Sequence, residues 1–246
     1  MALLGTSVMA VEPEILARKF INEAGDGLPY RIFVPSQAES SKEKFPLVLC
    51  LHGAGGRGND NRSRGTEAFN ALSDPDVQAK YPAFLLTPQC PLDEKWVDSQ
   101  WTRSSYDSNQ IPISDELKRV AEILDVVIKE FPIDPNRIYV TGQSMGGFGT
   151  WDMMVRFPDL FAAAVPVCGA GDPNKAESIK LIPVWAFHGA KDRTVPPDGS
   201  RKMVDALKAV GGNVRYTEFP DVGHASWKPA WSEPELIPWL FEQSKD

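Results

Sequence analysis

The sequence predicts an α/β fold, a mostly parallel sheet of about eight strands with helices on both faces. Short apolar runs alternate with helical patterns along nearly the whole chain, the signature of strand–helix–strand units. Several of those runs, Pro46–His52 (PLVLCLH) above all, are continuously apolar, as expected of strands covered on both faces. The 246 residues, 42% hydrophobic and 24% charged, have the length of one such domain, and two full-sized domains would be cramped. The expected organisation is a flexible tail over 1–16 and one folded domain over 17–246.

Ala17–Asn22 and Pro29–Pro35 read as two antiparallel strands joined at Gly25-Asp26-Gly27, a turn signal. Pro46–His52 follows as a central strand, then Ala83–Thr87 (AFLLT), which Pro88 ends. Over Ser114–Phe131, the residues Leu117, Val120, Ala121, Leu124, Val127, Ile128 and Phe131 form one helical stripe, with period 3.6. Ser114 suits the N-cap, Asp115 and Glu116 suit the positive end of the dipole, and Pro132 stops the helix. Strand Arg137–Thr141, helix Met145–Phe157, strand Phe161–Cys168 and strand Ile182–His188 come next. Helix Pro197–Val210, strand Val214–Phe219 and a closing helix Glu233–Gln243 complete the series. After the first pair the strands are expected to run parallel.

Composition excludes several classes of function. The formal net charge is −7, from 26 basic and 33 acidic residues. Nucleic-acid affinity comes largely from Lys and Arg on phosphates, and anionic membranes attract basic segments, so neither partner is expected. No apolar run approaches the roughly 20 residues that span a bilayer. Cys50, Cys90 and Cys168 are too far apart in sequence for a CxxC pair, which excludes a zinc knuckle or a thioredoxin-type site. Cys50 and Cys168 read as buried core residues, with one disulfide left open. The uncharged start Ala2–Ala10 ends in Val8-Met9-Ala10, like a trimmed signal-peptide stub. That leaves a secreted or periplasmic setting slightly ahead of a cytoplasmic one, with a frayed tail as the alternative.

The sharpest chemical signal is Gly142-Gln143-Ser144-Met145-Gly146, with a strand before it and a helix after it. A strand turning at once into a helix strains the residue at its apex, and the flanking positions come too close for a Cβ. The Ser144 hydroxyl is then exposed at a helix N-terminus, where developing negative charge is favoured. The bland alternative, a glycine-rich turn with an incidental serine, does not account for this context.

A serine needs a base. Of the three histidines, His52 and His188 each end an apolar strand, whereas His224 lies in a loop after the last strand. Ligands bind at the carboxyl edge of such sheets, so His224 fits best. Asp192, just past strand Ile182–His188, is the expected carboxylate partner, with Asp198 and Asp221 as rivals. The order Ser144, Asp192, His224 differs from that of chymotrypsin or subtilisin. Oxyanion donors are expected from the backbone of Met145 and from the loop His52-Gly53-Ala54-Gly55-Gly56, at Ala54 with Gly53 next. No Lys-Ser/Thr follows that loop, which excludes a P-loop.

The segments LHGAGGRGNDN (Leu51–Asn61), PQCP with WVD (within Pro88–Asp98), GQSMGG (Gly142–Gly147), WAFHGAKDRTVPP (Trp185–Pro197) and VGHASW (Val222–Trp227) together resemble the α/β-hydrolase superfamily. More narrowly they resemble bacterial carboxylesterases and predicted peptidases near the polyhydroxybutyrate depolymerase and feruloyl esterase group. The resemblance runs from about Phe45 to the C-terminus. It departs at Gly56, where relatives often carry Glu before the arginine, which leaves the roles of Arg57 and Asp60 open, a loop-bracing pair in contact with solvent being the bland reading.

The resemblance implies ester hydrolysis through an acyl-enzyme, a small-molecule ester as partner, and neither cofactor nor metal. Feruloyl or acetyl-xylan ester hydrolysis, a small serine peptidase and a non-catalytic binding module are the rival readings. A monomer is compatible with all of them. The segment 169–181 is too short for a helical lid, which suggests an open site and short acyl groups. Trp96, Trp101 and Tyr106 in the long segment Pro88–Pro112, and Trp227 beside His224, are possible pocket walls or packing anchors.

Overall fold

The structure is a computed structural model that describes residues 13–39, 41–62 and 66–245. The N-terminal signal-like segment lies outside the described residues. In chain order the strands are β1 (Glu14–Ile21), β2 (Gly27–Val34), β3 (Phe45–Leu51), β4 (Phe84–Pro88), β5 (Ile133–Gln143), β6 (Ala163–Val167), β7 (Val184–Gly189) and β8 (Val214–Phe219). The helices are α1 (Glu67–Leu72), α2 (Pro75–Lys80), α3 (Asp115–Glu130), α4 (Met145–Arg156), α5 (Ala176–Ile179), α6 (Asp198–Ala209), α7 (Trp227–Trp231) and α8 (Leu236–Glu242).

The strands form one sheet in the order β1-β2-β4-β3-β5-β6-β7-β8. β1 pairs antiparallel with β2, which is also antiparallel to β4, and every ladder from β4 to β8 is parallel. β2 is thus the single reversed strand. Part of the segment expected as tail is ordered, since β1 begins at Glu14.

Both faces of the sheet are covered. Along β3, Leu47, Leu49 and Leu51 enter the core with α3, α4 and α6, while Val48 and Cys50 enter the one with α1, α7 and α8. That division is why the run reads as continuously apolar. Each such side chain contributes roughly 1.5–3 kcal/mol on full burial. In α3 the buried stripe is Leu117, Val120, Ile123, Leu124 and Val127, so Ile123 rather than Ala121 faces inward. Ser114 caps it by accepting from Leu117 N–H at 3.1 Å.

Some elements differ from expectation. α1 and α2 are six residues each, capped by Thr66 and Asp74, too short to print a helical stripe. The closing helix expected over Glu233–Gln243 is the shorter α8, and α7 is a further short helix ahead of it, with Pro234 between them. β5 starts four residues early, at Ile133, and its register against β3 shifts just beyond Phe45, where Pro135 interrupts pairing. The segment between β6 and β7 holds the short helix α5, whose Ala176 and Ile179 are buried. All three cysteines are buried and unpaired.

The turn from β5 into α4 is the tightest approach in the sheet. A Cβ on Gly146 would lie 2.0 Å from the Leu51 carbonyl oxygen, and one on Gly142 would lie 2.3 Å from the Gly146 oxygen. Both are backbone obstacles, so relief requires moving α4 off β3. Gly146→Ala should therefore destabilise the protein by more than about 2 kcal/mol, measured as a drop in the urea midpoint. A midpoint equal to that of the wild type would show that α4 is not wedged against β3.

Candidate active site

Ser144 sits at the apex of that turn with φ 55° and ψ −119°. The left-handed backbone is sparsely populated for a residue with a side chain. It is held by the Ser144 N–H, which donates to Val167 O at 3.0 Å, and by Gly147 and Phe148 N–H groups donating to Ser144 O. Although Ser144 is the N-cap of α4, its hydroxyl makes no capping bond. The hydroxyl faces His224 instead, with Nε2 2.9 Å from Oγ.

His224 rides on the loop after β8. That loop comes against the end of β7, where a Cβ on Gly189 would lie 2.2 Å from Gly223 O. The approach brings Nδ1 of His224 to 2.7 Å from Oδ2 of Asp192. Oδ1 of Asp192 accepts from the N–H groups of Thr194 at 2.8 Å and Val195 at 3.0 Å. Burial works against ionising Asp192, but bonds to His188, His224 and the two N–H groups outweigh it and hold the carboxyl well below the usual range. A carboxylate so placed fixes the orientation of the imidazole ring. The three residues singled out from sequence are brought together, whereas Asp221 pairs with Lys191 and Asp198 with Arg201.

The two expected oxyanion donors occupy equivalent positions. Met145 is the first residue of α4, and Ala54 is the first residue of the 3₁₀ turn Ala54–Gly56, for which Gly53 is the N-cap. The first N–H groups of a helical turn have no acceptor within it. The orientation of the second is enforced. Gly53 O is engaged by His52 Nδ1 at 2.7 Å and by Gly56 N–H at 2.9 Å. In a trans peptide the N–H points opposite to the carbonyl, so the Ala54 N–H is turned away from His52. Gly53 itself lies against Gln143 and Ser144.

Sequence reasoning offered Arg57 and Asp60 as loop braces but missed His52 and Gln89. His52 Nε2 accepts from Cys90 N–H at 3.0 Å, so Nδ1 carries the proton and donates to Gly53 O. Burial is the main reason its pKa is pushed down to about 4. Gln89 accepts from Asn61 N–H at 2.7 Å and donates to Asp60 Oδ1 at 3.1 Å and Gly56 O at 3.3 Å. Arg57 Nε donates to Ala54 O at 3.1 Å. Arg57 and Asp60 therefore brace the loop through separate partners. Two His/Gln positions following apolar strands were the available sequence signal.

Of the tryptophans expected as possible walls, Trp96 is fully buried, with Nε1 donating to His52 O at 2.9 Å. It is an anchor and does not face the cleft. Trp101 is half-buried between Arg57 and Lys95, each 5.9 Å from its ring, and is likewise outside the cleft lining. Tyr106 is buried and donates to Asp152 at 2.9 Å. Trp227 does line the cleft, edge-to-face with His224 at 5.3 Å.

The cleft above Ser144 has a volume of about 630 Å³, within the range for small-ligand sites. Besides Ser144 and His224, its polar lining is His52, Arg57, Asp60, Arg62, Gln89 and Gln143. No residue of the β6–β7 segment is among its lining residues. Among the described residues, Cys168, Asp192 and His224 lie together at metal-like spacing. Burial pushes the Cys168 thiol up to about 12, which keeps it protonated and a poor ligand.

A profile described as phospholipase/carboxylesterase matches residues 35–232. The chain belongs to the phospholipase/carboxylesterase family. Its architecture is that of the α/β-hydrolases. It is similar to poly(3-hydroxyalkanoate) depolymerase C of Paucimonas lemoignei, 41% identical over 150 residues, which cover 61% of this chain and 33% of that protein. It is also similar to the bifunctional acetylxylan esterase/xylanase of Neocallimastix patriciarum, 25% identical over 171 residues, or 69% of this chain and 22% of that one. The crystal structure of a thermostable esterase is 42% identical with TM-score 0.85, over 94% of this chain and 63% of that chain. The chain thus spans between 22% and 63% of the length of these relatives.

The braced loop has a stability signature. His52 is neutral in the folded protein, with a pKa of about 4 against 6.5 when unperturbed. Between those values the unfolded chain binds a proton that the folded one refuses. Stability is therefore lost as pH falls from about 6.5 toward 4, by up to about 3 kcal/mol from this group. Urea unfolding at pH 7 and pH 4.5 should show the loss in the wild type and a smaller one in His52→Gln. Equal losses in both proteins would remove His52 as the cause.

Proposed function

We propose that the chain is a serine carboxylesterase that hydrolyses short-chain acyl esters through an acyl-enzyme. Ser144 Oγ attacks the ester carbonyl while its proton passes to His224 Nε2. Asp192 holds the imidazolium through Nδ1, and the Met145 and Ala54 N–H groups receive the oxyanion. Collapse of the tetrahedral intermediate expels the alkoxide, which takes the proton from His224. Water then attacks the acyl-enzyme, giving its proton to the same nitrogen, and the acid leaves as Ser144 is restored. The route calls for neither cofactor nor metal. The observation that carries the reading is the unbroken relay, 2.9 Å from serine to histidine and 2.7 Å from histidine to aspartate.

The cleft's lining supports the choice of substrate. Its apolar side chains are Ala54 and Trp227, and the remainder is polar or glycine. Each acyl methylene that finds no apolar wall forgoes about 0.8 kcal/mol. The same polarity favours, as a second reading, a hydroxylated alcohol part such as a sugar, in keeping with the acetylxylan esterase among the relatives.

Ser144→Ala should fold normally, lose labelling by a fluorophosphonate and lose kcat on the order of 10⁴-fold or more. Stoichiometric labelling of that variant would place the nucleophile elsewhere. Across p-nitrophenyl esters from acetate to palmitate, kcat/KM should peak at roughly two to six acyl carbons. A peak at ten carbons or beyond would overturn the short-chain assignment. Acetylated and feruloylated xylo-oligosaccharides separate the second reading from simple alkyl esters.

A further inference from the structure

Asp192 is shared between two imidazoles. Besides His224, its Oδ2 lies 3.3 Å from Nε2 of His188, a residue of β7 with no exposed surface. Nε2 of His188 also lies 3.0 Å from Val195 O. Both neighbours of that nitrogen, an ionised carboxylate and a carbonyl, can only accept, so Nε2 carries a proton. On the other side of the ring, Nδ1 is 2.8 Å from Oγ of Ser200, also fully buried. The Ser200 hydroxyl thus holds the Nδ1 side of the ring in place. The same hydroxyl donates to Gly169 O at 3.2 Å.

Oδ1 of Asp192 is already saturated by the two N–H groups of Thr194 and Val195. The second imidazole therefore acts on Oδ2, the oxygen that supports His224. We propose that His188, which carries a proton on Nε2, is a positioning residue that shares Oδ2 of Asp192 with His224 and tempers how strongly that oxygen supports the His224 imidazole as a base. A donor on Oδ2 draws charge from it and makes it a poorer partner for the imidazolium. Removing the donor concentrates charge on Oδ2, so His224 holds its proton to higher pH. The base is then lost at a pH where the wild type still works.

The other groups facing this pair are fixed in place. Glu218 stands opposite His188 in the β7–β8 ladder but is engaged by Arg201 at 2.6 and 2.8 Å and by Tyr216 at 2.6 Å. The Cys168 thiol, kept protonated by burial, faces His224 from the end of β6. Arg57, Asp60 and Arg62 face it across the cleft. None of them touches Oδ2 of Asp192 among the described contacts.

The proposal rests on the Ser144–His224–Asp192 reading, and its test separates the two. His188→Phe removes the donor and keeps a ring, whereas His188→Gln keeps an N–H near Nε2. The acid limb of kcat/KM on p-nitrophenyl acetate should move up by about half a pH unit or more in His188→Phe. It should stay near the wild type in His188→Gln, with KM little changed in either. His188→Leu, which also removes the donor from Oδ2, should shift the limb the same way and serves where His188→Phe fails to fold. In the intact wild type, ¹⁵N imidazole spectra should show His188 as the Nε2–H tautomer at neutral pH. An unmoved limb in folded His188→Phe, equal shifts in the Phe and Gln variants, or an Nδ1–H tautomer would each overturn the proposal. Failure of the triad reading shows differently, as an active Ser144→Ala.

Discussion

The site depends on one backbone contact, the seating of Gly146 against the carbonyl of Leu51. That contact lets α4 start immediately at the end of β5, and an immediate start leaves Ser144 no choice but a left-handed backbone. The serine then projects above the sheet's carboxyl edge, where the loops after β3, β7 and β8 converge. Relax the contact by one methyl group and the serine, the Met145 N–H and the axis of α4 shift together. The proposed nucleophile, the proposed oxyanion donor and the helix dipole thus all take their places from the same close approach.

Around that fixed point, four buried polar side chains hold the loops. His52 and Gln89 pin carbonyls and amides of the loop after β3, and His188 with Ser200 holds the far side of Asp192. Each makes two or more hydrogen bonds within the fold, the kind of network that rigidifies a site. The arrangement places the working groups on strand ends and supports them from beneath. Preorganisation of this kind spares the reaction the cost of ordering its own donors.

Much of this was legible in the sequence because it follows from local necessity. The glycines around Ser144 mark a close approach, the continuous run in β3 marks burial on both faces, and the Ser–Asp–His order narrows the partners. What stayed hidden depends on tertiary distance. His52 and His188 look alike, each ending an apolar strand, and nothing local reveals that one grips a loop and the other a carboxylate. Trp96 and Trp101 sit in a long loop that looks like a wall, yet the chain folds one into the core to meet a backbone carbonyl and the other between two cations. α1 and α2, at six residues each, are too brief for periodicity to register.

The three cysteines carry a consequence of their own. Cys50, Cys90 and Cys168 are each buried, unpaired and shifted toward the thiol form by loss of solvent. A thiol with no access to an oxidant and little thiolate character neither forms mixed disulfides nor climbs the oxidation ladder. No cross-link holds the sheet, so no reductant can loosen it. The fold is therefore indifferent to the redox potential around it, and the same chain can do its work in an oxidising or a reducing medium.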